Sequence, residues 1–167
     1  MSTLYLNIGS NSGDRRAFIA RAVAALPCAL KPCFAGMRLS AEVESEPWGY
    51  ESAARFINVG VEIELHHGEV WTAAELERLL SVLKELERSI SAMPHRDAGG
   101  GYSDRELDID IIALDDVRYK SESLEIPHPH MAARGFVLAP MAELAPEWRH
   151  PATMLTAAEM LCQDYSR

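Results

Sequence analysis

The chain has 167 residues, 48% hydrophobic and 25% charged; it can bury one substantial core but falls short of two ordinary domains, so a single domain over 1–167 is expected. With 16 Lys and Arg against 25 Asp and Glu, the formal net charge is −9, which repels phosphate polymers and argues against broad nucleic-acid binding. Neither a membrane-spanning run nor a basic-then-apolar leader is found, so no membrane partner is expected and the cytoplasm is the expected compartment. Cys28, Cys33 and Cys162 form an odd set without a CxxC pair and read as reduced thiols, buried as small apolar residues. Local arginines beside carboxylates that hold divalent cations remain compatible with a small anionic ligand such as a nucleotide.

Residues 4–8 alternate weakly and stop at Gly9-Ser10-Asn11-Ser12-Gly13, which predicts a strand ending in a glycine-bounded turn. From Asp14 onward, Phe18, Ile19, Ala22, Val23 and Leu26 recur at helical spacing, and Pro27 is expected to stop the run. Met37, Leu39, Ala41 and Val43 alternate with Arg38, Ser40, Glu42 and Glu44, the pattern of a strand buried on one side. The next strand carries Ile57, Val59, Val61, Ile63 and Leu65 on one face, with Phe56, Asn58, Gly60, Glu62 and Glu64 on the other. The connection 45–55, with Pro47-Trp48-Gly49, is long for a hairpin, and long connections often hold function.

Thr72-Ala73-Ala74-Glu75 is a capping box ahead of the apolar stripe Leu76, Leu79, Leu80, Leu83, Leu86 and Ile90. Between Ser91 and Asp104 the pattern collapses into Pro94 and the triplet Gly99-Gly100-Gly101, where a mobile excursion is expected. Residues 107–114 read as a buried strand, 137–144 as a further strand after a short helical turn, and 153–162 as a closing helix. The order β-α-β-β-α-β plus a C-terminal extension predicts an α+β fold: a ferredoxin-like antiparallel sheet covered by helices.

The sharpest chemical feature is Leu107-Asp108-Ile109-Asp110-Ile111, whose period of two sends both carboxylates to one face. Positions i and i+2 lie about 6.5 to 7 Å apart along a strand, a span that one or two Mg²⁺ ions can bridge. For an isolated Asp-x-Asp a solvated acidic face is the commoner arrangement. Here Ile109, Ile111 and Ile112 argue for a buried strand, and Arg105 stands three residues ahead, where an anion would arrive.

Glu87 falls on the apolar side of the long helix near its end, either as a boundary residue reaching water or an arginine, or as an acceptor facing a ligand. In Ile126-Pro127-His128-Pro129-His130 and Arg134-Gly135-Phe136, His128 and Arg134 suit a phosphate chain through charge-assisted hydrogen bonds, while Phe136 offers a face for stacking. Zinc at His128 and His130 lacks a third N or S ligand. The Gly9 to Gly13 turn matches neither phosphate-binding glycine pattern and reads as a plain turn.

These segments, taken together and in order, resemble the 6-hydroxymethyl-7,8-dihydropterin pyrophosphokinases of folate biosynthesis over almost the whole chain. The matching pieces are Ile8-Gly9-Ser10-Asn11 with Gly13-Asp14-Arg15, Pro47-x-Gly49 with Phe56-Ile57-Asn58, Arg105-Glu106-Leu107-Asp108-Ile109-Asp110-Ile111, Ile126-Pro127-His128-Pro129, and Arg134-Gly135-Phe136-Val137-Leu138-x-Pro140. The resemblance implies transfer of pyrophosphate from ATP to the hydroxymethyl oxygen of the reduced pterin, with release of AMP. It also implies two Mg²⁺ ions on Asp108 and Asp110. Ser45, Pro47, Trp48, Phe56, Asn58 and Phe136 would then form the pterin site. Glu87, Arg96, Arg105, Ile111, His128 and Arg134 would lie on the nucleotide side, with Arg96 and Arg105 also counted as catalytic beside the two aspartates. A monomer is expected.

The chain departs from that family after the long helix, where Gly-Arg-x-Arg is usual and Ala92-Met93-Pro94-His95-Arg96 stands instead. Only Arg96 matches, and loss of one charge-assisted contact costs about 1.5 to 3 kcal/mol, so slower turnover is expected. Ser45-Glu46 replaces the usual Thr of the pterin loop. A binding module without catalysis and an Asp-x-Asp nucleotidyltransferase are the alternatives, separated by whether AMP or pyrophosphate is released.

Overall fold

The computed structural model describes residues 1–91 and 103–164; the expectations for Arg96, Pro94 and the glycine triplet lie outside the described residues. The fold is a mixed α/β arrangement built on an antiparallel sheet. Its strands are β1 (Ser2–Ser10), β2 (Phe34–Leu39), β3 (Val43–Ser45), β4 (Phe56–Leu65) and β5 (Asp108–Leu114), in the order β2-β4-β1-β5 with β3 also paired to β4. Helix α1 (Arg15–Ala29) follows β1 and helix α2 (Ala73–Ile90) links β4 to β5. A small hairpin, β6 (Tyr119–Lys120) and β7 (Glu125–Ile126), precedes a single 3-10 turn (Met131–Ala133), α3 (Gly135–Leu144) and α4 (Ala157–Asp164).

Strand alternation builds two cores. On one face Leu4, Leu6, Ile8, the aliphatics from Ile57 to Leu65, Ile109 and Ile111 pack against Ile19, Ala22 and Leu26 of α1 and Leu76, Leu79, Leu83 and Leu86 of α2. The capping box that opens α2 is present, with Thr72 and Glu75 each accepting from the other's backbone amide. On the other face Tyr5, Ile112 and Ala113 pack against Val137, Leu138 and Met141 of α3 and Met160 of α4. Ile111 pairs with Leu6 and Ala113 with Tyr5, so Ile112 is inserted as a bulge. Both Ile112 and Ala113 thereby join the core under α3, while Asp108 and Asp110 keep the same face further along.

Helix α3 approaches the sheet over Gly60, where an added Cβ would come within 2.5 Å of the Pro140 Cβ. It covers only that half of the face. At the other end of the strands, Asn7, Gly9, Phe56, Asn58, Asp108 and Asp110 line an uncovered cleft.

Four expectations are corrected. Residues 137–144 form helix α3, not a strand; Val137, Leu138, Met141 and Leu144 are buried at helical spacing, in a run too uniformly apolar for periodicity to decide. Helix α1 runs past Pro27 to Ala29, because a proline in the last turn removes only one backbone bond and Leu30 N–H still donates to Leu26 O at 3.0 Å. The strand expected through Val43 is broken into β2 and β3. Ser40 exchanges its backbone N–H and its Oγ with Gly60, and Ala41 N–H turns away to Glu143 of α3. Finally, the three cysteines are free, but Cys28 and Cys162 are exposed and Cys33 is only half-buried.

Replacing Gly60 by Ala should force α3 off the sheet and lower stability by about 1 to 3 kcal/mol, the usual cost of overpacking. Chemical denaturation of the two proteins measures it, with an unchanged midpoint as the contrary result.

Candidate active site

Asp108 and Asp110 flank Ile109, whose side chain is anchored in the opposite core. The backbone of Ile109 is anchored as well. Its N–H donates to Glu87 Oε2 at 2.6 Å and its carbonyl accepts from Lys84 Nζ at 3.2 Å. Lys84 and Glu87, three residues apart on α2 and 3.0 Å from each other, therefore clasp the residue between the two carboxylates. Glu87, 2% exposed, does not reach water; its carboxylate holds the strand edge, and it lines neither cleft described here.

Cations surround the pair. Arg105 donates to Asp108 Oδ2 at 2.9 Å, Arg134 lies 3.5 Å from Asp110 Oδ2, and Lys84 Nζ lies 3.8 Å from Asp108 Oδ1. Burial, then the like charge of Asp108, pushes the Asp110 carboxyl up to about 7 against the pull of these three cations. Burial also works against the Lys84 ammonium, but Asp108, Glu87 and Asp110 outweigh it and hold its pKa above the ordinary value. Oxygen-only donors one strand step apart fit a hard divalent cation such as Mg²⁺. Among the described residues no group of three or more His, Cys, Asp or Glu forms a metal site, so the remaining coordination positions would fall to water and ligand oxygens.

The cleft beside the aspartates has a volume of about 310 Å³ and is lined by Ser45, Trp48, Phe56, Asn58 and Phe136, as well as by Arg105, His128 and Arg134. Pro47 stays out of the lining. Gly9 forms part of the floor: a Cβ there would stand 3.0 Å from Asn58 Oδ1 and 3.4 Å from the Phe56 ring, so glycine leaves room for a flat ligand. Asn58 donates to Ser45 Oγ at 3.0 Å and accepts from Asn7 Nδ2 at 3.3 Å, which fixes the polar end. The buried Asn7 Oδ1 has no hydrogen-bond partner among the described residues and is an acceptor available to a heterocycle N–H. Above the floor, the Arg134 guanidinium sits 4.5 Å from the Trp48 ring centroid and 5.8 Å from that of Phe136.

A second cleft of about 330 Å³ opens on the other side of Asp110 and His128, lined by Leu80, Lys84, Ile109, Ile111 and residues 121–125. Ile111, expected on the nucleotide side, belongs to this one. His128 joins the two clefts. Its Nδ1 accepts from His130 N–H at 3.1 Å, which places the proton of the neutral ring on Nε2, 3.5 Å from Arg134 Nη1. With both nitrogens as donors, an anionic oxygen beside the pair, rather than between them, could accept from each. Burial, then Arg134, pushes the His128 imidazole down to about 4, so His128 offers a neutral N–H beside the charged Arg134.

Sequence reasoning missed Asn7, Gly9 as a floor, Tyr50, Lys84 and the second cleft. Asn7 carried a signal, a lone amide inside an otherwise apolar strand; Lys84 looked like any exposed helical lysine.

Paired strand carboxylates, converging guanidinium groups and an aromatic-walled cleft could hold a polyphosphate, hard cations and a flat ring. A family model described as 7,8-dihydro-6-hydroxymethylpterin-pyrophosphokinase (HPPK) matches residues 5–146, and the chain belongs to this family. A 2-amino-4-hydroxy-6-hydroxymethyldihydropteridine pyrophosphokinase of Porphyromonas gingivalis is 35% identical over 153 residues, covering 90% of this chain and 95% of the relative. One from Bacillus subtilis is 32% identical over 149 residues, covering 89% and 81%. A crystal structure of Plasmodium falciparum HPPK-DHPS superposes with a TM-score of 0.66 at 13% identity, over 100% of this chain and 44% of that longer one. This last likeness is one of fold, and the chain spans under half of that protein.

Arg134→Met should raise the His128 pKa from about 4 part of the way towards its ordinary value, burial remaining in force. Imidazole NMR titration reads this directly, and an unmoved value would show that Arg134 does not act on His128.

Proposed function

We propose that the protein is an ATP-dependent pyrophosphokinase that transfers the terminal pyrophosphoryl group of ATP to the hydroxymethyl oxygen of 6-hydroxymethyl-7,8-dihydropterin. That oxygen attacks the β-phosphorus, the bond to the α-phosphate oxygen breaks, AMP leaves and the hydroxyl proton passes to solvent. The observation that carries the reading is the constellation of Asp108, Asp110, Arg105, Arg134 and His128 between two clefts, in a chain of this family. The aromatic cleft takes the pterin, with Phe56 and Phe136 beside the ring and Asn7 and Asn58 at its polar edge. The second cleft takes the nucleoside, with Ile111 and Leu80 as its apolar wall. The phosphates cross between them at Asp110 and His128.

Asp108 and Asp110 would hold two Mg²⁺ ions, which when bound neutralise the triphosphate and align it for in-line displacement. Arg105 and Arg134 stand against these carboxylates, within reach of the same space, and would offer guanidinium donors to the phosphates. His128 donates its neutral Nε2–H to a phosphate oxygen.

The sheet order β2-β4-β1-β5, with α1 and α2 packed on one face, supports a ferredoxin-like core within one domain over 1–167, α3 and α4 being the C-terminal extension. No helix among the described residues is long and apolar enough to cross a membrane. A monomer acting in the cytoplasm, with ATP and the pterin as its partners and no nucleic acid, completes the proposal.

Mass spectrometry of a mixture of protein, ATP, Mg²⁺ and the hydroxymethyl pterin should show the pterin pyrophosphate and AMP. Release of pyrophosphate would point to a nucleotidyltransferase, and binding of both ligands without AMP to a binding module. Asp110→Ala should keep the fold and lower kcat on the order of 10² to 10³-fold, the usual loss on removing a preorganised electrostatic group. Unchanged turnover at ordinary Mg²⁺ would remove Asp110 from its role.

A further inference from the structure

Asp104 lies outside the cleft lining, yet its carboxylate gathers three side chains from two other segments. Oδ1 accepts from Asn11 Nδ2 at 2.7 Å and from the Tyr50 hydroxyl at 3.2 Å, and Oδ2 accepts from Ser52 Oγ at 3.0 Å. Asn11, 3% exposed, ties the same segments a second time. Its Nδ2 also reaches Ala54 O at 3.1 Å, its Oδ1 accepts from Arg105 N–H at 2.8 Å, and its own N–H donates to Arg105 O at 3.1 Å. The end of β1, the 46–55 loop and the lead-in to β5 are therefore joined at one carboxylate.

The loop so held has no ladder of its own between β3 and β4, and Gly49 takes a left-handed φ of 84° within it, so its position depends on such side-chain bonds. It carries two walls of the aromatic cleft. Tyr50 belongs both to the knot and to the lining, and Trp48 reaches over Arg134. One residue beyond Asp104, Arg105 is bonded to Asp108. Arg105 is held in addition by its two backbone bonds to Asn11, so the Asp104 carboxylate bears chiefly on the height of the loop above the pterin floor.

We propose that Asp104 is a positioning residue for the pterin wall: it holds the 46–55 loop at the height at which Trp48 and Tyr50 close on the ring. This rests on the pterin assignment of the cleft. Hydrogen bonds to a charged acceptor are the strong ones, and the fastening acts on the loop more than on the nucleotide cleft, which lies across β5. The expected signature is a change in pterin affinity separate from turnover.

The test compares wild type, Asp104→Ala, Asp104→Asn and Ser52→Ala by equilibrium titration with the hydroxymethyl pterin and by steady-state kinetics with ATP and Mg²⁺. Asp104→Ala should raise the pterin Kd and KM about tenfold, the scale of one lost charge-assisted bond, with kcat and the KM for ATP changed less than about threefold. Asp104→Asn keeps an acceptor for Asn11 and Tyr50 and should recover most of the affinity. Ser52→Ala removes the bond to Asp104 and the one that Ser52 Oγ accepts from Ala54 N–H, both away from the ring, and should raise the pterin Kd about two- to threefold, so the proposal is tested even if Asp104→Ala fails to fold. Pterin affinity unmoved in the folded variants, or a fall in kcat with the pterin and ATP KM values rising together, would overturn it. A wild type that makes no pterin pyrophosphate would instead overturn the functional reading.

Discussion

The structure depends on keeping two like-charged carboxylates on one short strand at the margin of an apolar sheet. Left alone, Asp108 and Asp110 would repel each other and seek water. Three features hold them: the aliphatic side chains that alternate with them are sunk in the opposite core, both backbone groups of Ile109 are taken by Lys84 and Glu87, and Arg105 and Arg134 stand against the charges. Each feature has a functional side. The buried aliphatics fix where the acids point, the helix clasp fixes the strand between them, and the arginines offset the charge of the acids.

The cleft exists because α3 covers half a sheet. Contact over Gly60 brings the helix close enough for Pro140 to rest on the backbone, and the N-terminal end of the same helix delivers Arg134 and Phe136 to the open half. The bulge at Ile112 keeps consecutive residues under the helix without turning the aspartates away. Packing and site are in this way settled by the same few residues, and a change at Gly60 acts on both.

Much of this was legible in the sequence because alternation and helical spacing report burial directly. The β4 pattern and the α2 stripe place Phe56, Asn58 and the core aliphatics correctly, and the Asp-x-Asp pattern places both carboxylates on one face. What was illegible depended on tertiary context. Residues 137–144 are apolar but for Glu143 because α3 is packed between the sheet and α4, and a run with one polar residue carries no period to read. Glu87 could be placed on the inward side of α2, but only the fold shows that a strand amide awaits it there. His128 could be read as a phosphate contact, but that burial and Arg134 hold its imidazole neutral is not something spacing reveals. Asp104 gave no signal at all, since its partners lie far from it in the chain.

The clasp of Lys84 and Glu87 on Ile109 has one more effect. β5 is the outermost strand on its side of the sheet, and an outermost strand ordinarily presents bare amides and carbonyls on which another chain can template itself. Here a helix of the same molecule has already satisfied those groups beside the acidic pair. An incoming segment would have to displace a buried carboxylate from a 2.6 Å bond before it could pair at Ile109.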